Sequence, residues 1–253
     1  PSNNLINAFK TDDTGLPMPA TYNNKDVEPT GDYQSNSFDP RIDHTVATPG
    51  HPYKYRASFI FQTSWARAPQ IYGPHLSMKE TVLPDDPAFK KFPPFMSSGK
   101  NWAIIRYADV LLFKAEALIE LGRAQEALPL INQVRQRAIN SESLLKQANG
   151  NTISNYKIDT YKPGVNCTWT VDFARQALRF ERRLEFAMEG YRFFDLVRWG
   201  IAAEYMNSYF AIEKTRKPHL LDAAFKKNRD EYLPIPLNQI NFSKGLYKQN
   251  TGW

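Results

Sequence analysis

Thirteen of the 18 prolines in this 253-residue chain fall within its first 94 residues. They sit among turn-formers such as Asp12-Asp13-Thr14-Gly15, Asn23-Asn24-Lys25-Asp26 and Thr48-Pro49-Gly50. Proline removes a backbone donor and pushes its predecessor out of the α region, so long helices are excluded from this stretch. Only Lys54 to Ser64 reads as a strand, rich in aromatics with Phe59 and Phe61 in alternation. Residues 1–100 are therefore predicted to be mostly ordered loop. A loop region of that length needs a scaffold to lie on and is expected to face a ligand.

From Ala103 the pattern turns helical. Ile104, Tyr107, Ala108, Leu111, Ala115, Leu118 and Gly122 share one face, while Val110, Phe113, Ala117 and Leu121 share another. A helix apolar on two faces is sandwiched between neighbours. Gly122 closes it, and Ala127, Leu128, Ile131, Val134 and Ala138 form a second apolar stripe. The spacing predicts a helical hairpin over about 104–139, with Pro129 in the first turn of a second helix that starts near Glu126. Ala115, Gly122, Ala127 and Ile131 stand as in a tetratricopeptide repeat. One such hairpin cannot bury both faces. Either Ala174 to Gly200 supplies the partner, or further repeats lie outside this sequence. The fold class is mainly α: a tetratricopeptide-repeat-like helical scaffold over residues 101–253 with the loop-rich region packed against it.

Within 173–200, Phe173, Ala177, Phe180, Leu184, Ala187, Met188 and Tyr191 share an apolar face, opposite Arg175, Arg179, Arg182, Glu185 and Glu189. Past Gly190 the phase breaks: continued rotation would carry Asp195 and Arg198 onto the apolar face. The helix is therefore predicted to break at Gly190. A buried unpaired charge is costly, so Glu189, Arg192, Asp195 and Arg198 are expected to form a structural ion-pair network.

Charge and motif arithmetic narrows the function classes. The net charge of +6 comes entirely from residues 101–253, where basic side chains are interleaved with acids. That pattern lacks the basic stripe with exposed aromatics that nucleic acid demands, and no nucleic-acid partner is expected. A single cysteine, Cys167, excludes an internal disulfide and a cysteine-built zinc site. The histidines His44, His51, His75 and His219 show no metal-ligand spacing, so no metal is expected. No nucleophile elbow or phosphate loop appears. Asp12-Asp13 and Asp85-Asp86 stand beside turn-formers and read as turn caps. No catalytic residues and no cofactor are assigned. No window reaches the roughly 18 apolar residues of a membrane-spanning helix.

A sugar site asks for flat apolar faces and planar polar groups held on rigid loops. Trp65, Arg67, Gln70, Tyr72 and His75 lie within eleven residues of proline-punctuated loop. Trp65 and Tyr72 are the expected stacking faces and Arg67 and Gln70 the hydrogen-bonding partners, with His75 beside them. Tyr33, like Tyr22 and Tyr53, is a further candidate platform. The same rings would also serve as glue between loops and helices.

Several ordered motifs carry a resemblance. Ile105-Arg106-Tyr107-Ala108-Asp109-Val110-Leu111-Leu112 with Ala115-Glu116-Ala117, Ile131-Asn132-Gln133-Val134-Arg135, Glu181-Arg182-Arg183-Leu184-Glu185 and Glu189-Gly190-Tyr191-Arg192-Phe193-Phe194-Asp195-Leu196-Val197-Arg198-Trp199 resemble the C-terminal half of SusD/RagB proteins. Tyr232-Leu233-Pro234-Ile235-Pro236 and the closing Lys248 to Trp253 are similar too, with Thr251 and Trp253 where proline and tyrosine are more usual. Upstream, Leu5 to Gly15 and Asp39-Pro40-Arg41 match over shorter runs. Trp199 lies inside these motifs and Trp102 just ahead of the first, at helix edges, and both are expected in the core.

The resemblance implies a surface-exposed lipoprotein of the outer membrane, about twice as long. It would bind oligosaccharide or polysaccharide without catalysis and deliver it to a SusC-like TonB-dependent transporter. The chain would then be a C-terminal part whose helices meet a missing N-terminal half. That half would also carry the lipidated anchor cysteine, since Cys167 is internal. Three alternatives stay open: a peptide-binding subunit of the same kind of importer, a protein–protein assembly module of tetratricopeptide type, and a glycoside hydrolase.

Overall fold

The computed structural model describes residues 1–28 and 31–253, which form two compact units, Pro1–Glu189 and Gly190–Trp253. The proline-rich stretch carries only short elements. They are α1 (Asn3–Ala8), α2 (Asp32–Ser35), α3 (Arg41–Thr45) and α4 (Pro69–Tyr72), with antiparallel pairings of β1 (Val46–Ala47) with β4 (Leu76–Ser77), β2 (Pro52–Tyr53) with β3 (Arg56–Ile60), and β5 (Phe89–Phe92) with β6 (Phe95–Ser98). The strand expected over residues 54–64 is shorter than read. Lys54 and Tyr55 are instead the two-residue tip of the β2–β3 hairpin, with φ of 53° and 62°. Two consecutive positive φ values match the right-handed twist of a tight hairpin, at a cost on the order of 1 kcal/mol for each side-chain-bearing residue.

The hairpin scaffold forms as α5 (Tyr107–Glu120) and α6 (Ala124–Asn140). Gly122, at φ 75°, ends α5 in a Schellman motif: its N–H donates to Ile119 O at 3.0 Å, and the Arg123 N–H donates to Leu118 O at 2.8 Å. Helix α6 starts at Ala124, two residues earlier than expected, so Pro129 falls in its second turn. The proline is exposed, as is Gln125, whose carbonyl would otherwise accept from an N–H that Pro129 lacks.

A third helix, α7 (Val171–Glu185), packs on one apolar face of the hairpin. Thr170 caps it by accepting from the Phe173 N–H at 3.2 Å. The second apolar face of α5 is not sandwiched as expected: Val110, Phe113 and Leu121 are 52%, 45% and 70% exposed. Leu112, Ala115 and Ile119 of α5, Ala127, Ile131 and Ala138 of α6, and Ala174 and Leu178 of α7 are all 1% exposed or less. Small residues at these crossings let the helices approach closely. On its other side α7 joins the loop layer: Phe180, Leu184 and Ala187 share a core with Ile6, Phe9, Phe38, Ile42 and Val46. The first hundred residues and the hairpin thus belong to one compact unit, Pro1–Glu189.

The expected break appears where the phase failed. Helix α7 ends at Glu185, and the chain passes through Met188 at φ 64° and Gly190 at φ 88° before α8 (Tyr191–Arg198). The second unit continues with α9 (Ala202–Glu213) and α10 (Leu237–Phe242).

Arg182 and Glu185 of α7 do not face water but are 1% and 3% exposed, with Glu181 at 0% and Arg183 at 7%. Periodicity separates polar from apolar faces, but here the polar face is covered as well, by charged groups distant in sequence.

Candidate functional site

The structure seats Trp65 in an aromatic cluster. Trp65 ends the short 3-10 turn Thr63–Trp65, and its ring centre lies 5.0 Å from Phe59, 5.3 Å from Phe61 and 5.7 Å from Tyr53. Phe61 is buried at 1%, whereas Trp65 and Phe59 are 40% and 37% exposed. The cluster has a buried root and an open face. Rings packed edge-on in this way lose little freedom when a ligand stacks on them. Arg67 and Gln70 are exposed just beyond it, and Tyr72, at the end of α4, is 60% exposed. The backbone turns sharply between them, with Ala68 at φ 49° ahead of α4.

Two of the expected site residues, the platform Tyr33 and His75, do not face solvent. Tyr33 is 3% exposed, stacked on Phe38 at 5.2 Å, with its hydroxyl accepting from Thr48. His75 is 4% exposed, and burial pushes its pKa down to about 4. Both belong to the glue between loops. Conversely, Trp102, expected in the core, is 67% exposed in the irregular segment ahead of α5, while Trp199 is half-buried beside Arg198. Asp12 behaves as the turn reading required, accepting from the Thr14 N–H, the Thr14 hydroxyl and the Leu16 N–H.

The feature that sequence reasoning missed is a buried charge network along α7. Asp39 grips Arg41 with both oxygens, at 2.9 and 2.6 Å. Arg41 also donates to Glu181 Oε1 at 2.6 Å, and Arg135 donates to Glu181 Oε2 at 2.9 Å. Arg135, fully buried, spends its remaining donors on the carbonyls of Asp159 and Gly15. Glu185 accepts from Arg41, Arg106 and Arg137. Burial alone would raise its pKa, but these three guanidinium groups hold it below the usual carboxylate range. Glu189 pairs with Lys79 at 2.6 Å and with Arg106 at 3.0 Å. Within α8, Asp195 accepts from Arg198 at 2.9 Å, and the Arg192 guanidinium lies 4.7 Å from the Tyr205 ring centre. Asp39-Pro40-Arg41 and the charge-dense Glu181 to Glu185 were the available signals, and nothing in their spacing says that they meet.

Beside this network opens a pocket of about 370 Å³ whose lining includes six cationic side chains and three glutamates. Lys54 and Tyr55, at the tip of the β2–β3 hairpin, form part of its wall. The Tyr55 hydroxyl is 2.9 Å from His44 Nδ1, and His44 Nε2 is 2.8 Å from the Ser141 hydroxyl. Ser141 gives its proton to the Ala138 carbonyl, so it accepts from His44 Nε2–H, and Nδ1 then accepts from Tyr55. Burial lowers the His44 pKa and favours the neutral ring this chain of bonds requires.

A mainly helical scaffold with one tetratricopeptide-like hairpin, carrying a loop layer with exposed rings, defines a class of helical binding scaffold. The family model of the SusD family matches residues 1–253, and the chain belongs to that family. It is similar to SusD-like protein P38 of Formosa agariphila, 38% identical over 116 residues, which cover 46% of this chain and 20% of that protein. SusD-like protein P2 of the same organism is 28% identical over 159 residues, or 62% of this chain and 26% of that protein. Among solved structures, a SusD-like protein from Bacteroides fragilis aligns over all of this chain and 46% of its own, with a TM-score of 0.59 at 20% identity. A SusD homolog from Bacteroides thetaiotaomicron aligns over 85% of this chain and 41% of its own, with a TM-score of 0.57 at 23% identity. At those identities the likeness is one of fold, and the chain spans less than half the length of either structure.

Proposed function

We propose that this chain forms part of a non-catalytic, surface-exposed carbohydrate-binding protein that passes oligosaccharide or polysaccharide to a TonB-dependent transporter of the outer membrane. The observation that carries the reading is the open aromatic face of Trp65 and Phe59, rooted on Phe61 and Tyr53. A pyranose presents C–H groups on one side and hydroxyls at its edge. A half-exposed, pre-positioned indole takes the first, and the exposed Arg67, Gln70 and Tyr72 on the adjoining segment offer donors and acceptors for the second. Family membership supports the nutrient-uptake setting.

Binding through a few rings and hydroxyl contacts leaves little surplus after ordering costs, so affinities of about micromolar to millimolar are expected. Calorimetric titration against a panel of polysaccharides tests the reading. Heat from at least one glycan, lost in a folded Trp65→Ala variant, supports it. Flat traces for every sugar, with heat from a protein hydrolysate, would move the ligand to the peptide class.

A further inference from the structure

Resting on the carbohydrate reading, we propose that the pocket at the tip of the β2–β3 hairpin is an anion subsite, selecting glycans that carry a carboxylate or sulfate group through Lys54, Lys100 and Arg137.

The charge on this pocket is sorted by depth. At its floor, Lys79 and Arg106 are neutralised by Glu185 and Glu189, which they contact at 2.6 to 3.0 Å. The rim is different. Lys54 has no carboxylate within 4.0 Å among the described residues; burial and then the nearby charge of Lys100 lower its pKa, and the more distant Glu80 and Asp86 offset this only in part. Lys100 has Glu80 at 3.3 Å as its ion-pair partner, with its side chain 42% exposed. Arg137 reaches Glu185 with one nitrogen, and its side chain is 56% exposed. The guanidinium has no further hydrogen-bond partner among the described residues.

A half-buried ammonium without a direct ion-pair partner, beside a second ammonium, leaves positive charge that a bound anion would pair. The shape agrees with a sugar-borne anion. A pocket of this volume suits one or two sugar residues. The Tyr55 ring, 55% exposed and fixed through His44 to Ser141, gives it a flat wall. Both tip residues adopt left-handed backbone conformations that favour glycine or asparagine, and the hairpin keeps a lysine and a tyrosine there. The same hairpin carries Tyr53 and Phe59 of the aromatic cluster, so one element presents both a stacking face and a charged tip.

The test is calorimetry on the intact chain with two matched pairs of probes: oligogalacturonate against its methyl ester, and a sulfated galactan against its desulfated form. The expected result is at least about tenfold tighter binding of an acidic member over its neutral counterpart, shrinking as salt rises to about 0.5 M. The responding pair tells carboxylate from sulfate. Lys54→Asn, which suits the left-handed backbone, combined with Lys100→Gln should abolish the preference, and Lys54→Arg should keep it. Circular dichroism checks that each variant is folded. Equal binding of acidic and neutral probes, or a preference that survives in the double variant, overturns the anion subsite. If Trp65→Ala still weakens binding in that case, the carbohydrate reading stands alone. If no probe or other glycan binds at all, that reading falls and takes the subsite with it.

Discussion

Replacing Glu181 by glutamine changes one atom in the most buried part of the molecule. Both carboxylate oxygens are committed, Oε1 to Arg41 and Oε2 to Arg135. With Asp39 these make a balanced set of two anions and two cations, none more than 4% exposed at the side chain. Glu181→Gln keeps the volume, removes one negative charge and turns an amide donor toward a guanidinium donor. Removing one partner of a buried pair costs about 3 to 5 kcal/mol, because the other charge stays buried without compensation. For a chain of this size that corresponds to a fall in Tm of roughly 6 to 20 °C. Urea denaturation should show a lower midpoint at unchanged slope, with a thermal scan run in parallel. The internal control is Glu126→Gln. Its pair with Arg123 is more than half exposed on both sides, so its loss should leave the unfolding midpoint nearly unchanged. If the two variants are indistinguishable, the network does not hold the loop layer to α7 in the way described.

Other perturbations reach different parts of the structure. His75 Nδ1 is buried without a hydrogen-bond partner among the described residues, and burial pushes the ring's pKa down to about 4, below the unfolded value near 6.5. The unfolded chain therefore binds the proton first, and stability should fall by up to about 3 kcal/mol as pH drops from 6.5 to 4, a loss that His75→Gln should flatten in pH-dependent unfolding. Asp39 and Glu185 have depressed pKa values, so their contribution is present above about pH 4 and is lost on further acidification. Gly15 sits at φ 80°, and a Cβ there would lie 2.7 Å from the Asp159 nitrogen. Gly15→Ala should therefore cost more than about 2 kcal/mol, whereas Gly122→Ala, with open space around its Cβ, should cost about 1 kcal/mol, both read from unfolding midpoints.

What the sequence shows and what it hides follow from the range of the interactions. The α5–α6 hairpin and the break at Gly190 are local: helical period, a glycine with positive φ and a phase error all lie within a few residues. The same holds for the proline-rich stretch, whose lack of long helices follows from each proline separately. The burial of the polar face of α7 is not local. Glu181 and Glu185 are covered by Arg41, 140 and 144 residues away, and by Arg106, Arg135 and Arg137 from the hairpin. An isolated helix with those residues reads as amphipathic. Among the site residues, sequence reasoning found rings on ordered loops but could not tell roots from faces. Tyr33 and His75 turned inward because neighbouring loops close over them, while Trp65 kept its outer face open. The charged pocket was invisible because its wall combines a hairpin tip, loop residues around 78–80 and 100–106, and the C-terminal ends of α3, α6 and α7, all distant in sequence.

The central claim is tested most directly by titrating a polysaccharide panel into the wild-type chain and into Trp65→Ala under identical conditions. The account predicts weak, saturable heat from at least one glycan. It also predicts at least about tenfold loss in the variant, with unfolding midpoints that agree within about 1 kcal/mol. Glycan binding that is untouched when the indole is removed from a folded protein would contradict it.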